Sequence, residues 1–555
     1  MKQILCTLLC LAVLLGVTSC KSTGGNEPPA SKPQGEQTTE VTPPATESAT
    51  EPNPVPTAVI REKVFYLFVD DFYTLDYTVS ETNGIPDGKA EEIVWTSSNE
   101  RCVGVKNGRV YARREGSAIV SGGGESYCTV RVVSRTMPTI TVDTRGEHIL
   151  STTTYTPCYI SMDSQNSDHC FDDAKAGIRL RGNSTYNLPK KPYRIKFISA
   201  QNLLGMNEGA LCKSWVLLAD RYDNSMIRNS TCLSLASVIV KEYTSDWRYV
   251  KLEINGDFQG IYLLAEQPQI HAERVNLEEA GEVTDALRSG YLAELNVQSP
   301  RPAFYIDSSE LDFTTFLGNR SPSRDLIYDL KNNSVSNEQK RFVGKFFQNV
   351  FTVVYEATYN GTYYELNENH DLIPSETMTS AEEAISAVID VDSFVRMYIL
   401  TELICNHDAF QKSMYQHVDF TENGTGLLTY SCPWDFDFTM YRFEDLKYYD
   451  PEKYLASERV TWFVMMMNHE WFRELVRDYW NQLTEETDHF RAVIEMMLAI
   501  CEEYSDEFIK DGEIWDREEP QAECAATVYE WLQTRIKWLD VQFGEGVFDG
   551  AGASE

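Results

Sequence analysis

Two separate stretches of this 555-residue chain carry side chains in patterns suited to phosphate and a divalent cation. The first is Arg179-Leu180-Arg181-Gly182-Asn183-Ser184-Thr185, a strand-like run ending in a small polar loop beside two guanidinium groups. Gly182 permits close approach of a ligand to the backbone. Backbone N–H groups and guanidinium forks both match phosphate oxygens. Lys190-Lys191-Pro192 follows, then Tyr193-Arg194-Ile195-Lys196-Phe197. On a strand, Arg194 and Lys196 share one face and the apolar residues share the other. A solvated strand face would give the same pattern.

The second stretch supplies acids. Asn406-His407-Asp408 follows a helical run and precedes Ser413-Met414-Tyr415. After a strand-like Gly426-Leu427-Leu428-Thr429 comes Trp434-Asp435-Phe436-Asp437-Phe438. A carboxylate among large apolar groups is costly unless it meets a cation or hydrogen bonds. Mg2+ suits such a site, because it takes carboxylate and phosphate oxygens together. One acid to orient an attacking hydroxyl and another to hold metal on a nucleotide is the equipment of phosphoryl transfer. The plainer alternative is that Asp435 or Asp437 caps a turn or pairs with an arginine.

The elements that must position these groups are mixed, giving an α+β fold class from Met137 onward. Strands are expected at Thr139–Val142, Tyr159–Met162, Ile178–Arg181 and Tyr193–Phe197, with a short apolar segment at Trp215–Asp220. A hairpin across Asn255-Gly256 should join Val250–Ile254 to Gly260–Leu264. Helical spacing covers Asn224–Lys241, 337–358, 381–404, 459–483, 485–505 and 521–543. Their aromatic and aliphatic stripes read as core.

Upstream, Ala58 to Val133 alternates short apolar strands with Gly and Asn turns, the signature of a small antiparallel sandwich. Its wording resembles the group-2 bacterial Ig-like domain, which implies a spacer or adhesive module over residues 58–134. The first residues read as an export signal. Met1-Lys2 precedes an uncharged apolar run, Ile4–Val17, too short to serve comfortably as a membrane span. Val17-Thr18-Ser19-Cys20 resembles a lipobox, which implies a diacylglycerol on Cys20 and a membrane-anchored, extracellular location. Residues 21–57, rich in Ser, Thr, Pro and Glu, lack the apolar content to fold and read as a disordered linker, and 546–555 as a disordered tail.

The formal charge of −35 argues against a nucleic-acid partner, which would need clustered Lys and Arg. Of thirteen cysteines, ten follow Cys20. Outside the cytoplasm Cys102 could bridge Cys128, and Cys158 and Cys170 flank one loop, while buried free thiols are the equal alternative. There is no Cys-x-x-Cys pair.

The segments GIRLRGNSTYNLPKKPYRIKF, WVLLADRYDNSMIRN, VKLEINGDFQGIYLLAEQ, IDVDSFVRMYILTELICNHDAFQKSMY and WDFDF occur in this order. Together they resemble the successive motifs of the CotH kinase family of atypical, secreted protein kinases, over a domain of residues 137–545. The resemblance implies a two-lobed, protein-kinase-like fold that uses ATP and Mg2+ to phosphorylate Ser or Thr of secreted or surface proteins. It implies that Arg181, Gly182, Asn183, Ser184 and Thr185 cover the phosphates, that Lys196 or Lys191 touches them, and that Glu266-Gln267 ends the strand holding adenine. Asp223, Arg228 and Asn229, matching a motif on the small-lobe helix, would order the lysine or the phosphates, Asp408 would be the catalytic aspartate, and Asp435 and Asp437, with Ser413, would face the metal. Two positions depart from ordinary kinases. Ser413 stands where a kinase catalytic loop has Asn, and Asp437 where Asp-Phe is followed by Gly. These departures keep an inactive kinase-like scaffold or adhesin as the second expectation. A hydrolase ranks last, since neither Gly-x-Ser-x-Gly nor His-Glu-x-x-His occurs.

Overall fold

The computed structural model describes residues 56–80, 93–182, 185–281, 285–440, 450–484 and 489–548. Cys20 with its flanking leader, Asn183 and Ser184 lie outside them, so the lipid anchor and the tip of the polar loop are not described. The class is mixed α and β, as expected from the sequence.

Seven strands form a closed barrel: β1 (Thr139–Asp143), β2 (Thr156–Asp163), β3 (Phe171–Leu180), β4 (Tyr193–Gln201), β5 (Cys212–Leu218), β6 (Trp247–Ile254) and β7 (Asp257–Glu266). Neighbours pair antiparallel in the order β1-β2-β3-β4-β5-β7-β6, and β6 closes the ring by lying parallel to β1. Alternation decides what faces inward. Ile160, Ile178, Ile195, Trp215, Leu217, Leu252 and Leu264 fill the interior. Tyr193, Ile195 and Phe197 of β4 point in, which turns Arg194 and Lys196 outward. Asn255 and Gly256 adopt φ of 53° and 87°, giving the tight β6–β7 turn.

A second sheet of five strands, in the order β9-β10-β8-β11-β12, comprises β8 (Gly290–Asn296), β9 (Phe304–Ile306), β10 (Leu326–Leu330), β11 (Lys412–Asp419) and β12 (Thr429–Tyr430). The longer helices are α1 (Arg228–Ile239), α2 (Asn337–Tyr359), α3 (Val391–Leu403), α4 (Glu470–Thr484), α5 (His489–Glu503), α6 (Ser505–Trp515) and α7 (Gln521–Leu539); α2 and α3 pack on this sheet and α6 on the barrel. One large core joins the sheet and the helices, containing Phe347, Tyr398, Trp462, Trp480 and Trp531. Among the described residues no helix is long and apolar enough to cross a membrane.

The described residues of the segment 58–133 form a small all-β unit. Val64–Phe68, Tyr127–Val133, Gly116–Ser121 and Thr96–Ser97 make one sheet, and Phe72–Thr74, Arg109–Ala112 and Val103–Lys106 another. It does not stand apart as a spacer. Tyr66, Phe68 and Val133 belong to the large core shared with α1 and the barrel. Buried Arg131 and Arg248 both reach Asp246, at 3.5 and 2.9 Å, and Arg248 also donates to the Gly116 carbonyl at 3.3 Å. Burial alone would raise Asp246, but the two guanidinium groups hold it below the usual carboxylate range. Asp246→Ala would leave two buried cations without their partner. We expect a loss of about 3 kcal/mol, read as a fall in the urea midpoint at unchanged m. A change below about 0.5 kcal/mol would show that the unit is only loosely attached.

All ten described cysteines are free thiols, including Cys102, Cys128, Cys158 and Cys170. The buried-thiol alternative therefore describes them, and burial pushes Cys102, Cys128 and Cys158 up to about 12.

Candidate functional site

One cleft gathers the ends of several elements. β3 ends at Leu180, and Arg181 and Gly182 follow, Gly182 with φ 89°; a Cβ there would collide with the Thr185 hydroxyl, so glycine is required. Thr185 opens a single helical turn, and the chain re-enters the barrel at Tyr193, just after Pro192. β5 delivers Leu218, Ala219 and Asp220 to the same place. Opposite stand Trp434, Asp435 and Asp437 from the loop after β12, and Asn229 from α1. Arg181 lies 5.7 Å over the Trp434 ring, spanning the cleft.

The two acidic loops are joined to each other. His407 N donates to the Phe438 carbonyl at 3.3 Å, and Met440 N to that of Ile404 at 3.2 Å. Asp408 follows α3, its backbone N–H held by the Asn406 side chain at 3.1 Å. Lys412 Nζ sits 3.0 Å from Asp408 Oδ2. Burial raises Asp408, with Lys412 opposing and the Asp435 charge adding. Burial alone would lower Lys412, but Asp435 and Asp408 hold it above its ordinary value. Ser413 donates to Asp435 Oδ2 at 2.7 Å, which fixes that carboxylate. Asp220, Ser413 and Asp435 all have positive φ, of 45°, 61° and 67°, left-handed backbone that ordinarily favours glycine.

Asn229 is the pivot. Its Nδ2 donates to Asp437 Oδ1 at 2.6 Å and to Asp220 Oδ1 at 2.8 Å, and its Oδ1 accepts from Phe436 N at 3.0 Å. Asp220 Oδ2 is buried and makes no hydrogen bond. Burial, then the Asp435 and Asp220 charges, push Asp437 up to about 8; burial and Asp223 push Asp220 up to about 6. Repelling carboxylates around an orphaned oxygen fit a divalent cation. Among the described residues no three His, Cys, Asp or Glu groups are already arranged as a metal cage, so phosphate oxygens would have to complete the shell.

The sign of the resulting pH effect follows from those shifts. An acid whose folded-state pKa is raised is protonated in the folded protein while its unfolded counterpart, near pH 4, already ionises. Stability therefore falls as pH rises from about 4 to about 8. Asp437→Asn should raise metal-free stability at pH 8 by roughly 1–3 kcal/mol and flatten the pH profile. Equal thermal midpoints for both proteins at pH 8 would contradict this.

The other sequence candidates lie elsewhere. Asp223 caps the start of α1, accepting from Ser225 N and Arg228 N, each at 2.9 Å, and pairs with the Arg228 side chain. Arg228 Nε donates to the Thr439 carbonyl at 2.9 Å, so both tie α1 to the Asp437 loop and neither lines the cleft. Lys191 turns back on its own loop, donating to the Tyr186 and Leu188 carbonyls. Lys196 is exposed and pairs with Ser214, three positions along β4 from Tyr193, about 10 Å from the cleft end of the strand. Arg194, on the same face, lies nearer that end without lining the cleft, whose basic lining residues are Arg181 and Arg221. Its Nε is buried without a hydrogen bond, and the Tyr415, Arg179 and Arg181 side chains act on it. Glu266 and Gln267 also fall outside. Glu266, the last residue of β7, pairs with Trp215 midway along β5 and is buried against Arg274 at 3.3 Å, and the Gln267 carbonyl accepts from Arg274 at 2.7 Å.

Several site residues were missed. Asp220 reads in sequence as the end of an apolar segment. Arg517, about 300 positions on, donates to the Asp220 and Asp223 carbonyls at 3.2 and 2.9 Å. Asp511 holds Arg517 at 3.1 Å and Lys190 at 2.7 Å, all three buried. Only the odd clustering of charge in an otherwise helical run, Lys510 to Glu519, could have signalled them.

A glycine-containing loop and basic barrel face opposed to two linked aspartate loops define an atypical kinase-like protein. The chain matches the family model described as CotH kinase protein over residues 178–539, and it belongs to that family. No curated protein matches it.

Proposed function

We propose that this chain is a cell-surface lipoprotein, anchored through Cys20, whose kinase-like domain transfers phosphate from ATP to Ser or Thr of a secreted or surface protein. The observation that carries the reading is the linkage of Asp408 to Asp435 through the charge of Lys412, with Asp435 and Arg181 lining one cleft. Arg181, the Gly182 turn and Thr185 would bind the nucleotide phosphates, and Arg194 would add positive charge from the barrel face. Asp435 and Asp437 would hold Mg2+, which when bound offsets phosphate charge and orients the transferred group. Asp408 would position the acceptor hydroxyl and take its proton, a role favoured by its burial-raised pKa. The new bond runs from acceptor oxygen to phosphorus as the bond from phosphorus to the bridging oxygen breaks, and ADP leaves. Lys412 would balance the two carboxylates while this happens.

One observation favours the second reading, a scaffold with little catalysis. The Ser413 hydroxyl, standing at the usual Asn position, already donates to Asp435. Thermal denaturation separates the two. Millimolar ATP with Mg2+ is expected to raise the midpoint by several degrees in the native protein and much less in Asp437→Asn. No shift with ATP and Mg2+ would favour the scaffold, and the same shift in both proteins would remove Asp437 from the proposed metal site.

A further inference from the structure

Positive charge is scarce in this chain, with 49 basic against 84 acidic residues, yet four cations line two grooves beside β9, β10 and the start of α2. Two adjoining grooves share Ala303 and Lys340; Arg341 and Tyr305 line one, Arg301 and Lys331 the other. Among the described residues Arg301, Lys340 and Arg341 have no acidic partner. The one lining acid, Asp329, is already occupied by Asn296 at 3.0 Å and Ser299 at 2.6 Å.

Two further features make the face unusual. β9 is an edge strand, paired only with β10, and Tyr305 at its centre is 61% exposed. An open edge offers backbone donors and acceptors to an incoming strand. In addition, Lys340 and Arg341 stand near the start of α2, after the Ser336–Gln339 capping box. The helix dipole disfavours cations there, so helix stability does not account for them.

The face also leads to the proposed catalytic cleft. Lys331 pairs with Glu294, which accepts from Tyr415 at 3.1 Å. Tyr415 lies on β11 two residues beyond Ser413, the partner of Asp435. β10 is two strands from β11, about 10 Å.

We propose that this face docks the acceptor polypeptide, taking an extended acidic segment that adds to β9 and sets its carboxylates on Arg301, Lys340 and Arg341. The inference rests on the kinase reading for its purpose, since it names the class of substrate.

The test is direct binding to the full chain without nucleotide, followed by fluorescence anisotropy. Three labelled peptides are compared: one alternating Glu with Val and Ser, its Lys counterpart, and the Glu peptide N-methylated at alternate backbone positions. The Glu peptide should bind, weaken with added salt, and lose about tenfold or more in affinity against Arg301→Glu/Lys340→Glu/Arg341→Glu. The Lys peptide should not bind, and N-methylation should weaken the Glu peptide by about tenfold. The triple variant changes surface groups, and an unchanged thermal midpoint checks its folding. Equal binding of the Glu peptide to native and variant protein would overturn the proposal, as would preference for the Lys peptide. Binding of phosphatidylglycerol vesicles in place of the Glu peptide, lost in the variant, would assign the face to a membrane and overturn it too. Because no nucleotide is present, docking without phosphate transfer would sink only the kinase reading, and transfer without docking only this one.

Discussion

Asp435→Asn is expected to lower phosphate transfer by about 10²–10³-fold or more while leaving the fold intact. The amide oxygen keeps the acceptor for the Ser413 hydroxyl, so the loop that turns through positive φ at Asp435 retains its anchor. The negative charge that would meet the metal is lost, and positioning with charge neutralisation supplies most of the acceleration in phosphoryl transfer. Asp408→Asn should also abolish transfer, but with a different signature. Asp408 is assigned to the acceptor hydroxyl, so ATP·Mg2+ binding by calorimetry should survive in Asp408→Asn and weaken in Asp435→Asn. Loss of nucleotide binding in both, or in neither, would contradict the separate roles.

Glu402→Ala is expected to destabilise the protein by about 3–5 kcal/mol, a large part of the stability of an ordinary domain. Glu402, in the last turn of α3, and Arg535 of α7 are both fully buried and 2.7 Å apart. The carboxylate also accepts from Leu455 N at 2.6 Å and Ser457 N at 3.1 Å. Arg535 donates to the carbonyls of Pro451 at 3.0 Å, Lys453 at 2.7 Å and Glu402 itself. The pair thus pins residues 450–457, which lie downstream of Asp437 in the chain. Removing the acid strands one buried charge and two backbone donors. The double change Glu402→Leu/Arg535→Met should be milder than Glu402→Ala, because it removes both charges together. A loss below about 1 kcal/mol for Glu402→Ala by urea denaturation would contradict this account.

Local rules carried much of the reading, and tertiary partners set its limits. Alternation in Tyr193–Phe197 placed Arg194 and Lys196 on the outward face, and that is how β4 lies. Asn255-Gly256 marked a hairpin for the same reason, since both residues tolerate positive φ. Which of the two basic residues approaches the cleft depends on register with β3 and β5, which one strand does not encode. The resemblance implies that Glu266 ends the strand holding adenine, whereas the buried Glu266 side chain is taken up by Arg274 and the Asp246 N–H.

Helix lengths were overestimated where a side chain intervenes. The stretch 381–404 is split into Ala381–Ser386 and α3 because Asp390 caps Ser393 N at 3.2 Å. The stretch from 224 begins only at Arg228, since Asp223 takes the first N–H groups. Barrel closure by the parallel β1–β6 pair, the docking of residues 58–133 through Arg131 and Asp246, and the hold of Arg517 on the Asp220 turn all join positions far apart in the chain. Such pairings have no local periodicity to reveal them.

The most direct measurement is transfer of radiolabelled γ-phosphate from ATP by the purified full-length protein, with Mg2+ or with EDTA, beside Asp408→Asn. The account predicts label on Ser or Thr of an acceptor protein with Mg2+ alone, and none from Asp408→Asn although that variant still binds ATP. Incorporation by the native protein no higher than in EDTA, or equal incorporation by Asp408→Asn, would contradict it.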